Sequence, residues 1–380
     1  MKIKNLSWVL IPLVFLGCGD VALINEQNAS EEKASLGKLL FNDTSLSKNR
    51  TMSCATCHDE SNGFVDGRTT NRVNHAAAQS ADETKIADRN VPTASYAAFI
   101  PEFGKVQEGT DTLFVGGQFL DGRAKNLQVQ AEGPFLNPDE MQMESKEDVI
   151  ERVKENNAYI QSFQKIYGEN IFDDINASYK ALTDAIASFE KTDFFAPFDS
   201  KYDRMLEGSY VFTSDEQAGM VLFSDESRAN CVACHPLLKE DNSTGHFTDF
   251  TYDNLGVPKN DALRLANGKG RTFIDHGLLG NVDVNDTKLD GAFRVSTLRN
   301  IAQTAPYMHN GVFKNLKTVV HFYNTRDVLG TINPETGNTW KASEVPATVN
   351  HDELGNLGLT DAEEDLLVTF MKTLSDKRYE

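Results

Sequence analysis

The sequence predicts a mainly α fold with long loops, built as two similar halves. Three observations carry this. Few stretches alternate apolar and polar residues as strands do, whereas several place apolar residues at helical spacing. The pentapeptide CATCH at 54–58 returns as CVACH at 231–235. The residues ahead of the two copies also echo each other. Gly37 precedes Leu40-Phe41 and Gly219 precedes Leu222-Phe223, each followed by an acidic and serine-bearing turn and then the cysteines. An internal repeat of this kind implies two related domains, which suits 380 residues.

The N-terminus reads MKIKNLSWVLIPLVFLGCGD. Lys2 and Lys4 make a short positive start, and the apolar run that follows is too short to span a bilayer. Ending at LGC, it resembles a bacterial lipoprotein signal. Residues 1–17 would be cleaved and Cys18 would carry the lipid, leaving the chain exported and anchored in the periplasm. Residues 18–34 are polar and read as a linker. SKEDVIERV opens with a Ser-x-x-Asp start and ASYKALTDAIASFEK continues at helical spacing. Pro197 breaks that pattern in FFAPFDSKYDRML, and 240–292 is rich in Gly, Asn and Asp and reads as long loops. The last helix, TDAEEDLLVTFMKTL, takes Thr360 as its cap and sets Leu366, Leu367, Phe370, Met371 and Leu374 on one apolar face.

The formal net charge is −19, and removing Lys2 and Lys4 with the leader takes it to −21. Nucleic acid, which calls for basic patches, is thereby disfavoured as a partner. Steering of a basic redox protein is compatible with it.

Of five cysteines, four lie in the two CxxCH motifs. Cys-x-x-Cys-His is the pattern of covalent c-type haem attachment. Two thiols reach the haem from one turn and the next residue turns its imidazole to the iron. Cys54, Cys57 and His58 would hold one haem, and Cys231, Cys234 and His235 the other. A four-cysteine zinc site is the alternative, but it leaves both histidines without a role. The domains are then 35–205 and 206–380. A haem with two strong protein ligands transfers electrons, whereas an open or displaceable position admits peroxide. His75, in a polar segment after the first motif, is positioned to reach the other face of the first haem.

Several longer motifs now matter in their order: SCATCHDESNGFVDGR, RNVPTASYAAF, GGQFLDGRAKNLQVQAEGPFLNPDEM, CVACH, TDFTYDNLGVP and FRVSTLRNIAQTAPYMHNGVFKNLKTVVHFYN. With them the chain from about residue 35 onward resembles the bacterial dihaem cytochrome c peroxidase family, which includes MauG, the enzyme that matures methylamine dehydrogenase. The resemblance implies that the first haem is peroxidatic, with His75 as its displaceable distal ligand, and the second an electron-transfer haem. Gln118 matches a distal-pocket glutamine. Gln128 stands where the family usually has a Glu, and an amide cannot shuttle protons as a carboxylate does. Glu132, one turn on, is the nearest replacement. Many members carry a Trp between the haems, whereas this chain has only Trp8 and Trp340, and Tyr96 and Phe99 occupy the matching ASYAAF segment.

Alignment of the last motif puts Tyr323 at the sixth position of the second haem, with Met308 and His321 as local competitors. A phenolate there lowers the potential and a thioether raises it. His309 falls beside this haem, off the iron. The family's calcium site matches Asn90, Thr304 and Pro306, and a homodimer is a family expectation. The leading reading is a periplasmic, lipid-anchored peroxidase. It would reduce hydrogen peroxide with electrons from a small c-type cytochrome or cupredoxin, the peroxide binding after His75 leaves, in a pocket lined by Gln118 and Gln128. The alternatives are a MauG-like enzyme that oxidises residues of a partner protein, and a plain dihaem electron-transfer cytochrome.

Overall fold

A computed structural model describes residues 18–70, 77–238 and 245–380. The expected leader 1–17 and His75 lie outside the described residues. Twelve helices carry the described fold, in keeping with a mainly α chain. In the first half they are α1 Cys18–Phe41, α2 Cys54–Cys57, α3 Gly67–Thr70, α4 Leu127–Leu136, α5 Lys146–Lys154, α6 Asn157–Tyr167 and α7 Ile175–Glu190. After these come α8 Lys201–Leu206, α9 Ser214–Ser224, α10 Asp261–Ala266, α11 Leu316–Thr325 and α12 Asp361–Lys372. The strands pair only locally as antiparallel ladders: β1 Gly104–Glu108 with β2 Asp111–Val115, β3 Tyr252–Asp253 with β4 Phe293–Arg294, and β5 Ile332–Asn333 with β6 Asn338–Thr339. The β1–β2 hairpin turns at Gly109, whose φ of +57° suits a two-residue loop.

Capping chemistry sets the helix starts. The Ser145 hydroxyl accepts from the Asp148 N–H at the head of α5. Thr213 with Glu216 and Thr360 with Glu363 form reciprocal capping boxes on α9 and α12. The stretch expected as a linker at 18–34 is helical, continuous with the apolar end of α1. Its Ala, Glu and Lys residues favour helix, and Lys33 pairs with Asp184 on α7 at 2.7 Å.

There are two main apolar cores. One gathers Leu36, Leu40 and Phe41 of α1, Phe64, Phe135, and Leu182, Ile186 and Phe189 of α7, with Cys54 and Cys57 packed against it. The other gathers Tyr202, Phe223, Phe247, Phe322, and Leu367, Phe370 and Leu374 at the end of the chain, with Cys231 against it. The repeated glycines explain how each core closes. A Cβ at Gly37 would stand 1.9 Å from the Ala185 carbonyl oxygen of α7 and 3.0 Å from the Phe189 Cβ. At Gly219 it would stand 2.1 Å from the Leu366 carbonyl oxygen of α12 and 2.9 Å from the Phe370 Cβ. Each glycine therefore marks a close helix crossing: α1 on α7, and α9 on α12.

Candidate functional site

Each CxxCH faces a cavity. In the first half the capped turn α2 presents Cys54, Cys57 and His58 to it. The His58 Nδ1 lies 3.1 Å from the Phe64 carbonyl oxygen, and the His235 Nδ1 lies 2.7 Å from that of Phe247. Both phenylalanines hold φ in the left-handed region, +60° and +53°, which turns their carbonyls back to the histidines. A carbonyl on Nδ1 fixes the proton there and leaves the Nε2 lone pair for a metal. Burial pushes both imidazoles down, His235 to about 4, so they stay neutral. None of the four cysteines is in a disulfide. This donor set fits covalent c-type haem in both halves.

The first cavity is also lined by α4 and the loop after it. Gln130 and Pro134, four residues apart, share the helix face that lines it, and Glu140 joins them from the loop. Asn137 Nδ2 donates to Glu140 Oε1 at 2.7 Å, which orients the carboxyl. Burial raises the Glu140 pKa, opposed by the Arg123 guanidinium. Arg123 also lines the cavity, stacks 3.6 Å over Phe119 and pairs with Asp121 at 2.8 Å.

This arrangement corrects two expectations. Gln128 lies about 200° around α4 from Gln130, at about 100° per residue; its Nε2 donates to the Lys180 carbonyl of α7 at 3.1 Å. Gln118 is buried and donates to the Ala97 carbonyl at 3.1 Å. Neither lines the first cavity. Glu132 shares the outward phase of Gln128 and pairs with Lys146 at 3.3 Å. A carboxyl that does line the cavity beside Gln130 is Glu140, in the NPDEM stretch that follows the helix.

The second cavity is lined by Cys231, Cys234, His235, Tyr323, Met308 and His309. Leu316, Val320 and Tyr323 reach it from one face of α11, at i, i+4 and i+7. Burial, with the Cys234 sulfur nearby, pushes the Tyr323 phenol up. His321 is not a lining residue: its Nδ1 lies 2.8 Å from Glu364 Oε1. His309 stacks on Phe293 with centroids 3.8 Å apart, and burial lowers its pKa to about 3. Asn90, Thr304 and Pro306 come together at the edge of this cavity, the Asn90 Nδ2 lying 2.5 Å from the Pro306 carbonyl oxygen.

The two cavities share a wall that includes Asn90, Pro92, Leu120 and Asp275. Leu120, rather than an aromatic residue of the ASYAAF segment, is the large side chain common to both. Tyr96 lines the second cavity alone, and Trp340 stands apart, donating to Thr325 Oγ1 at 3.1 Å. Arg89 braces this wall, with 2.7 Å contacts to Asp275 and a 2.6 Å contact to Asp121.

Two histidine-backed CxxCH turns facing two adjoining cavities define a dihaem c-type oxidoreductase. The chain belongs to the dihaem cytochrome c peroxidase family, whose model matches residues 31–210, and it carries two c-type haems. It is 42% identical over 357 residues to the methylamine utilization protein MauG of Paracoccus denitrificans, covering 93% of this chain and 90% of that protein. It is 32% identical to the cytochrome c551 peroxidase of Nitrosomonas europaea, covering 79% of this chain and 74% of that one. The fold is similar to the crystal structure of the diheme peroxidase BthA of Burkholderia thailandensis. The TM-score there is 0.81, with 31% identity over 91% of this chain and 86% of that one. No described helix is long and apolar enough to cross a membrane.

Proposed function

We propose that this chain is a MauG-like oxidoreductase that consumes hydrogen peroxide at the first haem and withdraws electrons from residues of a partner protein through the second. The observation that carries this reading is Tyr323, held by α11 in the cavity of the second CxxCH. In the same reading His58 would hold the iron of the first haem, and His235 with Tyr323 that of the second. Met308, on the same wall, is then a packing residue. The first haem supplies an iron that binds peroxide and takes up its two oxidising equivalents. The protein supplies the proton path. Glu140, held by Asn137, takes the proton from the near oxygen of peroxide and returns it to the departing oxygen, giving water. The Gln130 amide would donate a hydrogen bond to peroxide in the same pocket, which Pro134 and Phe119 also line.

The second reading is a peroxidase supplied with electrons by a small c-type cytochrome or cupredoxin. The Glu140 carboxylate serves it equally, and relatives bearing the name cytochrome c peroxidase favour it. Rapid mixing of the dihaem protein with peroxide, in oxidised and half-reduced forms, separates the two. Direct reaction of the oxidised form supports the MauG-like reading. Reaction only after half-reduction, with fast turnover of a reduced cytochrome, supports the peroxidase and His75 as a displaceable ligand. Replacing Tyr323 with Met raises the potential of the second haem in a spectroelectrochemical titration if Tyr323 is its ligand. The proposal extends to two haem domains at 35–205 and 206–380, export to the periplasm with lipid on Cys18, and calcium held by Asn90, Thr304 and Pro306, a set of oxygen donors that suits that ion.

A further inference from the structure

Besides Tyr323, the phenols of Tyr96 and Tyr307 line the second cavity; Tyr307 donates to the Ile301 carbonyl at 3.0 Å, whereas Tyr96 faces a carboxylate. Its backbone sits in the left-handed region, φ +58°, a sparsely populated conformation for an aromatic residue. It is held there by a hydrogen bond from its N–H to the Phe195 carbonyl at 3.1 Å. Its ring packs edge-on against Phe198 at 5.0 Å, and the Arg299 guanidinium lies 4.8 Å over its face. Its hydroxyl donates to Asp376 Oδ1 at 2.5 Å and accepts from the Phe198 N–H at 3.2 Å.

Asp376 is fully buried, and its other oxygen accepts only from the Asn300 amide, at 2.9 Å. Arg299, the cation nearby, commits its fork to Asp203, at 2.8 and 2.9 Å. Asp376 is thus a buried carboxyl whose oxygens are met by a phenol and an amide. Burial draws the Asp376 pKa upward, the direction that favours taking a proton.

We propose that Tyr96 is a redox-active tyrosine coupled to Asp376 as its proton acceptor, giving the second haem an oxidisable phenol within its own cavity. The inference rests on the proposed use of peroxide, which supplies the oxidant. In the step, the Tyr96 O–H bond breaks. Its proton passes to Asp376 Oδ1, its electron reduces the oxidised second haem by one equivalent, and a neutral phenoxyl radical remains. Taking up the proton relieves the desolvation of the ionised Asp376 carboxylate. The short preformed hydrogen bond means that the proton moves without rearrangement of the surroundings. When no external electron arrives, this is where an unspent oxidising equivalent comes to rest.

Freeze-quench electron paramagnetic resonance on the dihaem protein after peroxide addition tests this, using chain grown with ordinary and with ring-deuterated tyrosine. The expected result is an organic radical signal that narrows on deuteration, is absent in Tyr96→Phe, and is weaker in Asp376→Asn, while the haem bands of both variants still respond to peroxide. A purely structural Tyr96 would lower the melting temperature of Tyr96→Phe and leave any radical signal unchanged. Haem bands that respond without a tyrosyl signal, or a signal that persists in Tyr96→Phe, overturn the proposal. Haem bands that ignore peroxide overturn the peroxide reading and this inference with it.

Discussion

Glu140 is a single carboxyl whose position decides what the first cavity can do. Replacing it with Gln keeps size and hydrogen bonding but removes the proton carrier, so the rate of reaction with peroxide should fall by about 10²–10⁴-fold. The ionised form is the one that accepts the proton, and burial raises its pKa above the ordinary 4.5. Activity should therefore be lost on acidification through a value above 4.5, a limb that kcat/KM against pH will show and Glu140→Gln will lack. Glu190 is buried in the first core, one of its oxygens has no partner, and burial pushes it up to about 8 from 4.5. The folded state keeps a proton there that the unfolded chain releases from 4.5 upward. Stability should fall as pH rises between those values and level off above about 8. Glu190→Gln should flatten that slope, raising the melting temperature at pH 8 more than at pH 5. The haem anchors were legible in sequence because their chemistry needs adjacent residues. Gln130 and Glu140 were not, because which phase of α4 faces the cavity is set by packing on α7, and Glu140 reaches it from the loop beyond. A two-residue difference along a helix reverses the direction of a side chain.

At the scale of elements, the glycine that recurs ahead of each CxxCH was visible in the sequence, but its reason was not, since the carbonyl it admits belongs to a helix far along the chain. Gly37→Ala and Gly219→Ala each press a methyl into backbone that cannot yield without separating two helices. Each should destabilise by about 1–3 kcal/mol, read as a lowered melting temperature with both haems still attached. A second echo is Phe-x-Asp, at Phe64-Val65-Asp66 and Phe247-Thr248-Asp249, which supplies the carbonyl for each proximal histidine. The β1–β2 hairpin escaped the strand pattern because it is short and exposed along much of its length, so burial imposes little alternation on it. The helical character of 18–34 is hidden by its polarity, which a linker shares, although Ala, Glu and Lys are good helix formers.

At the scale of the molecule, contacts between the two cores hold the cavities in register. Tyr96 reaches Asp376, Arg378 pairs with Glu60 at 2.8 Å, and Arg89 spans Asp121 and Asp275. Arg89→Ala would strip the buried Asp275 of its bidentate partner and leave Asp121 to Arg123, so a loss of about 3–5 kcal/mol is expected in denaturant titrations. If calcium bridges Asn90, Thr304 and Pro306, a chelator should lower the melting temperature and alter the haem spectrum, and added calcium should restore both. Long-range ties like these leave no local pattern in the sequence, since each joins residues separated by much of the chain.

Leu120 carries a last consequence. A saturated side chain offers no low-lying state in which charge can pause, so traffic across the wall must tunnel in one step instead of hopping between stations. Tunnelling falls off steeply with separation, which makes the stiffness of Arg89, Asp121 and Asp275 around that wall part of the wiring rather than of the scaffold. Loosening the brace should then slow exchange between the two irons well before the protein begins to unfold.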